Sequence, residues 1–276
     1  MIKINGTIII EPNQFPDGTL LLKFDKEQFD PRSTISYEWN YESDAELFTL
    51  ICLRKHLAKY PYHQLILPYI PNARQDRVKS SEDVFTLKYF CEMINSLNFN
   101  EVIVLDAHSN VSLALLDNVI QMDVMEYIDK TLDQVDCGRT CIFYPDEGAM
   151  KRYSDRIPYP YAFGIKKRDW ETGKIQGLDI QNKELIKGKD VLIIDDICSY
   201  GGTFYHSAKA LREAGAANVY LYVTHLEKSV LKGDLWTDMH NASWMHAEPL
   251  INCIYTANPL FDCEHDTEIA AHIVKI

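Results

Sequence analysis

The amino-acid sequence predicts an α/β fold made of two tandem domains with largely parallel sheets. Short apolar runs alternate with stretches of helical periodicity, and this order is typical of parallel sheets. The chain has 276 residues, a length that suggests two domains of ordinary size. A pattern of one charged residue, four apolar residues and an aspartate occurs at 101–106 and again at 190–195, which indicates a duplicated unit.

The predicted elements follow from apolar periodicity along the chain. Short apolar runs predict strands at 7–10, 20–24, 64–67, 102–105, 141–144, 191–194 and 219–223. Apolar residues three or four positions apart predict helices at 44–58, 87–97 and 204–214. We place a domain boundary near residue 140, which gives domains 1–140 and 141–276, although no Pro/Gly/Ser-rich linker marks it.

Composition excludes several classes of protein. The formal net charge of −12 argues against a general nucleic-acid binder, which would need a basic face. No run approaches the roughly 20 apolar residues of a membrane span, and the first residues lack the pattern of a signal peptide. The seven cysteines are an odd number without a Cys-x-x-Cys pair, so we expect reduced thiols in a cytoplasmic protein.

Basic residues nevertheless concentrate in three places along this acidic chain. Any one cluster could be an ordinary solvated face. Three clusters beside predicted strand ends favour a phosphorylated small molecule as ligand, and they comprise Arg74, Arg77 and Lys79; Lys151, Arg152 and Arg156; and Lys166, Lys167 and Arg168.

Residues 191–215 are the most informative stretch. An apolar strand ends in Asp195 and Asp196, a short loop with two glycines follows, and an amphipathic helix then begins. Backbone N–H groups and the helix dipole at such a turn favour an anion. The two carboxylates can accept hydrogen bonds from sugar hydroxyls, so the stretch predicts a sugar-phosphate site.

Other predicted strand ends also carry polar side chains. Arg74 and Arg77 on one loop suit phosphate oxygens, or they belong to a surface loop with a structural Arg–Asp pair. His108 follows a strand and can approach a metal or a nucleotide phosphate, or can be satisfied by a loop carbonyl. Asp146 suits Mg²⁺, or it caps a helix.

Residues 164–175 are polar and rich in turn formers, which favours a β-ribbon. Lys166 and Arg168 lie two positions apart in it. A flap of this kind can close over a reacting phosphate, supplying positive charge and excluding water. An ordinary surface hairpin is the alternative.

The order of these motifs along nearly the whole chain resembles the ribose-phosphate diphosphokinases, also called phosphoribosyl pyrophosphate synthetases. One such motif would be weak evidence, whereas the ordered set is specific. The resemblance rests on Phe15-Pro-Asp17-Gly, Ser43-Asp-Ala-Glu-Leu, Pro68-Tyr69, Ala73-Arg-Gln-Asp-Arg77, Asp106-Ala-His108, Pro145-Asp146, Lys166-x-Arg168, the Asp195-Asp196 loop and Thr224-His225.

The resemblance implies a fold, substrates and site residues. The fold would be two type I phosphoribosyltransferase-like domains, and the reaction would be Mg²⁺-dependent transfer of diphosphate from ATP to C1 of a ribose phosphate, with release of AMP. Lys166 and Arg168 would be catalytic, and His108 and Asp146 would hold the metal. ATP would bind Asp17, Arg74, Gln75, Asp76, Arg77 and His108, whereas the ribose phosphate would bind Asp195, Asp196, Ser199, Tyr200, Gly201, Gly202 and Thr203.

The chain departs from the family in its phosphate loop. The family has Asp-Thr where this sequence has Ser199-Tyr200, and an aromatic residue there suits an acceptor whose 5′ group extends outward. ADP-ribose is the leading extended acceptor, nearly even with ribose 5-phosphate. The segment after Arg77 lacks the Arg-Ala-Pro-Ile-Ser stretch of the family, which puts its hexamer and ADP regulation in doubt, although we still expect a homo-oligomer.

Two other functions stay open at this point. A phosphoribosyltransferase would consume an activated ribose and need no ATP, and the additional N-terminal domain with Arg74, Gln75 and His108 argues against it. A non-catalytic regulatory relative would be expected to lack the Lys166/Arg168 flap or the metal ligands, and all of these are present.

Overall fold

The computed structural model describes residues 1–135, 138–168 and 175–276, with only the backbone described at 166–168 and 175–177. Strands and helices alternate along this chain, and the contacts divide it into two compact units, Met1–Asp123 and Val124–Ile276. The predicted α/β class is confirmed. In the described residues, no helix is long and apolar enough to cross a membrane.

The first unit is a mixed sheet with helices. Its sheet order is β2-β1-β5-β6-β7-β8, in which β5 to β8 run parallel and β1 pairs antiparallel with both of its neighbours. The strands are β1 (Ile2–Ile4), β2 (Ile8–Ile10), the small hairpin β3 (Asn13–Gln14) and β4 (Leu20–Leu21), β5 (Thr34–Trp39), β6 (Tyr62–Ile66), β7 (Glu101–Leu105) and β8 (Val119–Met122). The helices are α1 (Ala45–His56), α2 (Thr86–Asn95) and α3 (Asn110–Leu115).

The second unit has a sheet in the order β11-β10-β9-β12-β13-β14-β15, parallel except for the β10–β11 hairpin. Apolar clusters cover this sheet, and β12, β13 and β9 lie in its buried middle. Its elements are α4 (Met125–Val135), β9 (Thr140–Tyr144), α5 (Glu147–Tyr153), β10 (Tyr161–Arg168), β11 (Ile175–Gln181), β12 (Asp190–Cys198), α6 (Gly202–Glu213), β13 (Asn218–Leu226), α7 (Asp234–Met245), β14 (Cys253–Pro259), α8 (Thr267–Ala270) and β15 (Ile273–Lys275).

The division between the units falls earlier than the boundary expected near residue 140. Helix α4 belongs to the second unit, where it packs against β13 and β14. Its apolar face buries Ile128 and Leu132 in the same cluster as Ile142 and Tyr222. No Pro/Gly/Ser-rich linker precedes α4 in the sequence. The sequence therefore gave no reason to assign this helix to the second unit.

The predicted strands and helices are all present, with shifted ends. Sequence reasoning did not find β5, although Ile35, Tyr37 and Trp39 alternate there with polar residues and are fully buried. This alternation with a period of two is the usual signal of a strand with one buried face. In α2 the buried residues Leu87, Phe90, Cys91 and Ile94 recur at helical spacing, as expected of a helix that covers a sheet.

Candidate active site

The predicted sugar site lies at the carboxyl end of β12, where the strand continues through both aspartates. Asp196 is buried, and its Oδ2 lies 3.1 Å from Nη1 of Arg152 on α5. The backbone N–H of Asp196 donates to Oδ1 of Asp195 at 2.9 Å. Burial, and then the negative charge of Asp196 and of Asp146, raise the pKa of Asp195 well above its usual range.

Asp146 follows β9, the neighbour of β12 in the sheet, and caps α5. Its Oδ1 accepts the backbone N–H groups of Gly148 at 3.0 Å and Ala149 at 3.1 Å. The structure therefore shows the capping role that sequence reasoning held as the alternative. The metal-binding role of Asp146 stays a prediction, and its charge is already close enough to act on Asp195.

The phosphate loop, residues 199–203, joins β12 to α6. Gly201 precedes the helix with φ +79°, a left-handed conformation that glycine adopts readily. No side chain caps the first turn of α6, in contrast to α5. Gly202 and Thr203 in that turn are exposed, and since the first N–H groups of a helix have no partner within it, this turn can offer donors to an anion. The predicted strand, loop and helix are thus confirmed, and the ligand remains a prediction.

The ribbon with Lys166 and Arg168 is formed by β10 and β11, as the sequence predicts. Lys166 pairs with Leu178 and Arg168 with Ile175 in the antiparallel register, with an irregularity just before Arg168. Residues 169–174 and the side chains of Lys166 and Arg168 lie outside the described part of the chain. At the base of the ribbon, a Cβ on Gly164 would lie 2.7 Å from the carbonyl oxygen of Pro145, so only glycine fits there.

The first unit carries a second candidate site, a cavity of about 370 Å³ that we call the cation-lined cavity. Five of the six predicted ATP-binding side chains line it, all except Asp17. The lining residues are Arg74, Gln75, Asp76, Arg77, Lys79, Asp83 and His108. The structure thus brings together residues from the loop after β6 and the turn after β7.

Inside the cation-lined cavity, Asp76 and Arg77 form a two-point ion pair. Nε of Arg77 donates to Oδ1 of Asp76 at 2.7 Å, and Nη2 donates to Oδ2 at 3.1 Å. The Arg77 guanidinium lowers the pKa of the buried Asp76 carboxylate. This is the structural Arg–Asp pair considered as an alternative, and it leaves the 68 % exposed Arg77 side chain facing solvent. Gln75 is held as well, since its Oε1 accepts from Thr86 at 2.6 Å.

His108 reaches this cavity because the chain turns sharply after β7. Asp106 is buried with φ +44°, a left-handed conformation that aspartate tolerates better than most residues. His108 belongs to the first unit and Asp146 to the second. Among the described residues, no group of three or more His, Cys, Asp or Glu side chains is arranged to hold a metal ion.

Asp17 does not join the cation-lined cavity. It lies in the exposed turn between β3 and β4, where its Oδ1 accepts from Oγ1 of Thr19 at 2.7 Å and from the Thr19 backbone N–H at 3.0 Å. These bonds lower the pKa of Asp17. Gly18 and Thr19 line a separate cavity beside β2 and α1. A role of Asp17 in ATP binding stays a prediction.

Sequence reasoning missed two contacts of the candidate site, that of Arg152 with Asp196 and that of Ser229 with Ser199. Arg152 appeared only as a member of a basic cluster, whereas it pairs with Asp196; the neighbouring Lys151 pairs with Glu147 at 3.2 Å on the surface of α5. Ser229 lies 3.0 Å from Ser199, oxygen to oxygen, and comes from a segment after β13 that carries no sequence motif for a contact across 30 residues.

Comparison with known proteins indicates a phosphoribosyl transferase domain in the second unit. Residues 143–241, which include Asp146, the β10–β11 ribbon and the phosphate loop, match the phosphoribosyl transferase domain. The whole fold matches the crystal structure of phosphoribosylpyrophosphate synthetase from Mycobacterium smegmatis, with a TM-score of 0.70 over 97 % of this chain and 85 % of that chain at 20 % identity. The predicted fold of two phosphoribosyltransferase-like units is consistent with this match.

The curated relatives then indicate the family. The chain is 27 % identical to ribose-phosphate pyrophosphokinase of Saccharolobus solfataricus over 79 % of its length and 76 % of the relative. It is 28 % identical to the enzyme of the same name from Pyrococcus abyssi, over 81 % and 79 % of the two chains. These matches confirm the resemblance to the phosphoribosyl pyrophosphate synthetases that the sequence predicts.

Proposed function

We propose that the protein transfers the β,γ-diphosphoryl group of ATP to the anomeric hydroxyl of a ribose phosphate. The observation that carries the proposal is the succession along β12 and α6: two carboxylates, a glycine loop and then a helix whose first turn no side chain caps. That succession offers acceptors for sugar hydroxyls beside donors for a phosphate. The relatives, which are named ribose-phosphate pyrophosphokinases, support the same reaction.

ATP is assigned to the cation-lined cavity. Arg74, Arg77 and Lys79 supply positive charge to a polyphosphate, and arginine in particular can bind phosphate oxygens through two parallel hydrogen bonds. The Asp76 carboxylate fixes the orientation of Arg77, because both of its oxygens engage the guanidinium. Gln75 and His108 complete the set, and Asp17 is proposed to reach the nucleotide from its own turn.

The ribose phosphate is assigned to the second unit. Asp195 and Asp196 accept hydrogen bonds from ribose hydroxyls, and Arg152 keeps the Asp196 carboxylate in place. Residues Ser199 to Thr203 bind the 5′ phosphate through their backbone N–H groups. A hydroxyl donor next to Asp195 offsets the burial and the negative charges that raise its pKa in the free protein.

In diphosphoryl transfer, the protein mainly positions two substrates and stabilises the charge that develops between them. The anomeric oxygen of the ribose forms a bond to the β-phosphorus, the bond from that phosphorus to the α,β-bridging oxygen breaks, AMP departs with that oxygen, and the proton of the anomeric hydroxyl is released to solvent. Lys166 and Arg168 on the ribbon offset the charge that develops on the transferred group.

Magnesium is the proposed cofactor, because Mg²⁺ is usually bound through one or two carboxylates together with the phosphates of a substrate. His108 and Asp146 are proposed as its protein ligands, with substrate oxygens completing the shell, as is usual for Mg²⁺ bound with phosphates. The crowding of carboxylates that raises the pKa of Asp195 is an environment that a divalent cation would relieve. When bound, the ion neutralises phosphate charge.

We propose an acceptor with a 5′ extension, and ADP-ribose is the leading candidate. Tyr200 lies at the outer edge of the phosphate loop with 59 % of its surface exposed. An aromatic ring displayed beside a phosphate site can stack on a base carried beyond that phosphate. Ribose 5-phosphate has no group that reaches outward, so it would leave Tyr200 without a partner.

The test supplies ATP and Mg²⁺ with either ribose 5-phosphate or ADP-ribose and measures AMP release, with phosphorus NMR to identify the diphosphorylated product. We expect AMP with both acceptors and faster turnover of ADP-ribose. Faster turnover of ribose 5-phosphate would contradict the proposal of an extended acceptor. A phosphoribosyltransferase would instead use an activated ribose without consuming ATP, and a regulatory relative would release no AMP with either acceptor.

A further inference from the structure

The segment between β13 and the start of α7, residues 227–235, packs directly against the phosphate loop. We call this segment the bracket. Gly233 approaches the loop so closely that a Cβ there would lie 1.8 Å from the carbonyl oxygen of Tyr200. The backbone of Gly233 is ordinary, with φ −98° and ψ 166°, so close approach rather than conformation requires glycine. Any side chain at this position would displace the loop or the bracket.

The bracket contacts the loop at a second point. A Cβ on Gly201 would lie 2.8 Å from both Cβ and Cδ2 of Leu235, so the backbone of the loop rests on this buried leucine. The bracket therefore contacts two consecutive residues of the loop, the carbonyl of Tyr200 through Gly233 and the backbone of Gly201 through Leu235. Tyr200 is 59 % exposed although its carbonyl oxygen lies against Gly233.

A chain of side-chain hydrogen bonds joins the bracket to the start of the loop. Oγ of Ser199 lies 3.0 Å from Oγ of Ser229, and Oγ of Ser229 donates to Oε2 of Glu227 at 3.3 Å. A carboxylate oxygen accepts and does not donate, which sets the direction of the chain. Because the Ser229 hydroxyl donates its proton in the hydrogen bond to Glu227, Oγ of Ser229 accepts from the Ser199 hydroxyl, whose proton points at the bracket.

This direction separates two roles that Ser199 could have. A serine hydroxyl that binds phosphate must point its proton at the phosphate, whereas that of Ser199 is engaged by the bracket. A phosphate would then be bound by the other donors of the loop, which are its backbone N–H groups and the Thr203 hydroxyl, and Ser229, Gly233 and Leu235 contact the backbone that carries them. The bracket thus holds the backbone of the loop in place.

We infer that Ser229 and Gly233 are positioning residues for the acceptor, acting through the backbone of the phosphate loop and through the display of Tyr200. The inference rests on the proposed function, since it assumes that this loop binds the 5′ phosphate of the acceptor. It adds residues outside the loop that control acceptor affinity and leave ATP binding unchanged.

The test measures the dissociation constants of ribose 5-phosphate and ADP-ribose by calorimetry, together with KM for each substrate and kcat. Ser229→Ala removes the bridging hydroxyl, and we expect acceptor affinity to fall about 3- to 10-fold, the range for one neutral hydrogen bond. KM for ATP stays unchanged, and Ser229→Thr, which keeps a hydroxyl, restores acceptor affinity. Gly233→Ala forces a backbone shift, and we expect a loss of about 100-fold in kcat/KM for the acceptor.

Ser154→Ala is the matched control, because Ser154 is a half-buried serine of the same unit whose Oγ lies 3.7 Å from Met150 Sδ. Acceptor binding that is unchanged in Ser229→Ala would overturn the inference even if Gly233→Ala fails to fold. So would a wild-type protein that binds neither acceptor. A wild type that binds an acceptor but never releases AMP would refute the proposed reaction, and the dissociation constants would still decide the role of the bracket.

Discussion

Strands β7 and β12 begin with the same pattern and end differently. Each starts with an acidic residue and four apolar residues that lead to an aspartate, Asp106 in one and Asp195 in the other. β7 stops at Leu105, and Asp106 turns the chain with φ +44°. β12 continues to Cys198, which keeps Asp195 and Asp196 within the sheet.

The difference decides what each strand end can bind. The turn at Asp106 brings His108 to a cavity lined by arginines and a lysine, which suits a polyphosphate. The extension of β12 keeps two carboxylates together in a buried place, which raises the pKa of Asp195 and suits sugar hydroxyls. A duplicated pattern therefore predicts the strands but does not predict the chemistry at their ends.

The largest effect should come from the ribbon formed by β10 and β11, which belongs to the same unit as β12. Lys166→Ala is expected to lower kcat at least ~100-fold, the usual scale for losing one preorganised group that stabilises the transition state. Steady-state AMP release measures it. Lys151→Ala is the control, since Lys151 forms an exposed i,i+4 pair on α5 and should leave kcat unchanged. Near-normal turnover of Lys166→Ala would remove this residue from the catalytic role.

The second-largest effect should come from the carboxylates that β12 keeps within the sheet, whereas β7 stops before its aspartate. Asp195→Asn should lower kcat/KM for the acceptor about 10- to 100-fold, because hydrogen bonds to a charged group contribute roughly 1.5–3 kcal/mol. The amide oxygen of asparagine can still accept the Asp196 backbone N–H, so folding is preserved.

The same substitution should stabilise the free protein. Because the folded-state pKa of Asp195 is raised, the folded protein holds a proton that the unfolded chain has lost, so stability falls as pH rises from the ordinary carboxylate pKa through the raised value. Asp195→Asn removes that loss, and its melting temperature should exceed that of the wild type at neutral pH and converge with it in acid. A variant that melts below the wild type at pH 7 would contradict this account of Asp195.

The smallest effect concerns the ion pair in the cation-lined cavity. Arg77→Gln should lower the free energy of unfolding only slightly, because Arg77 is largely exposed and solvent screens the pair. Arg77 lowers the folded-state pKa of Asp76, so its contribution is present above the ordinary carboxylate pKa and is lost as pH falls. Urea unfolding at pH 7 and near pH 3 measures it. A difference that persists undiminished in acid would be inconsistent with an origin in the ion pair.

The sequence was sufficient for the strand, loop and helix around Asp195 and for the grouping of Arg74 to Arg77, because these depend on local patterns of apolar, glycine and charged residues. It could not show that Asp146 caps α5, since a capping aspartate and a metal-binding aspartate occur in the same place after a strand. It also could not show that Arg152 pairs with Asp196 or that Ser229 meets Ser199, because both contacts join distant parts of the chain through the sheet.

The central claim is that the phosphate loop of the second unit selects an extended acceptor through Tyr200. The most direct measurement is the ratio of kcat/KM for ADP-ribose to that for ribose 5-phosphate, in the wild type and in Tyr200→Ala. We expect the wild type to favour ADP-ribose and the variant to lose about 10-fold of that ratio, as base–aromatic stacking contributes roughly 1–3 kcal/mol, with KM for ATP unchanged. An equal ratio in both proteins, or a wild type that favours ribose 5-phosphate, would contradict the claim.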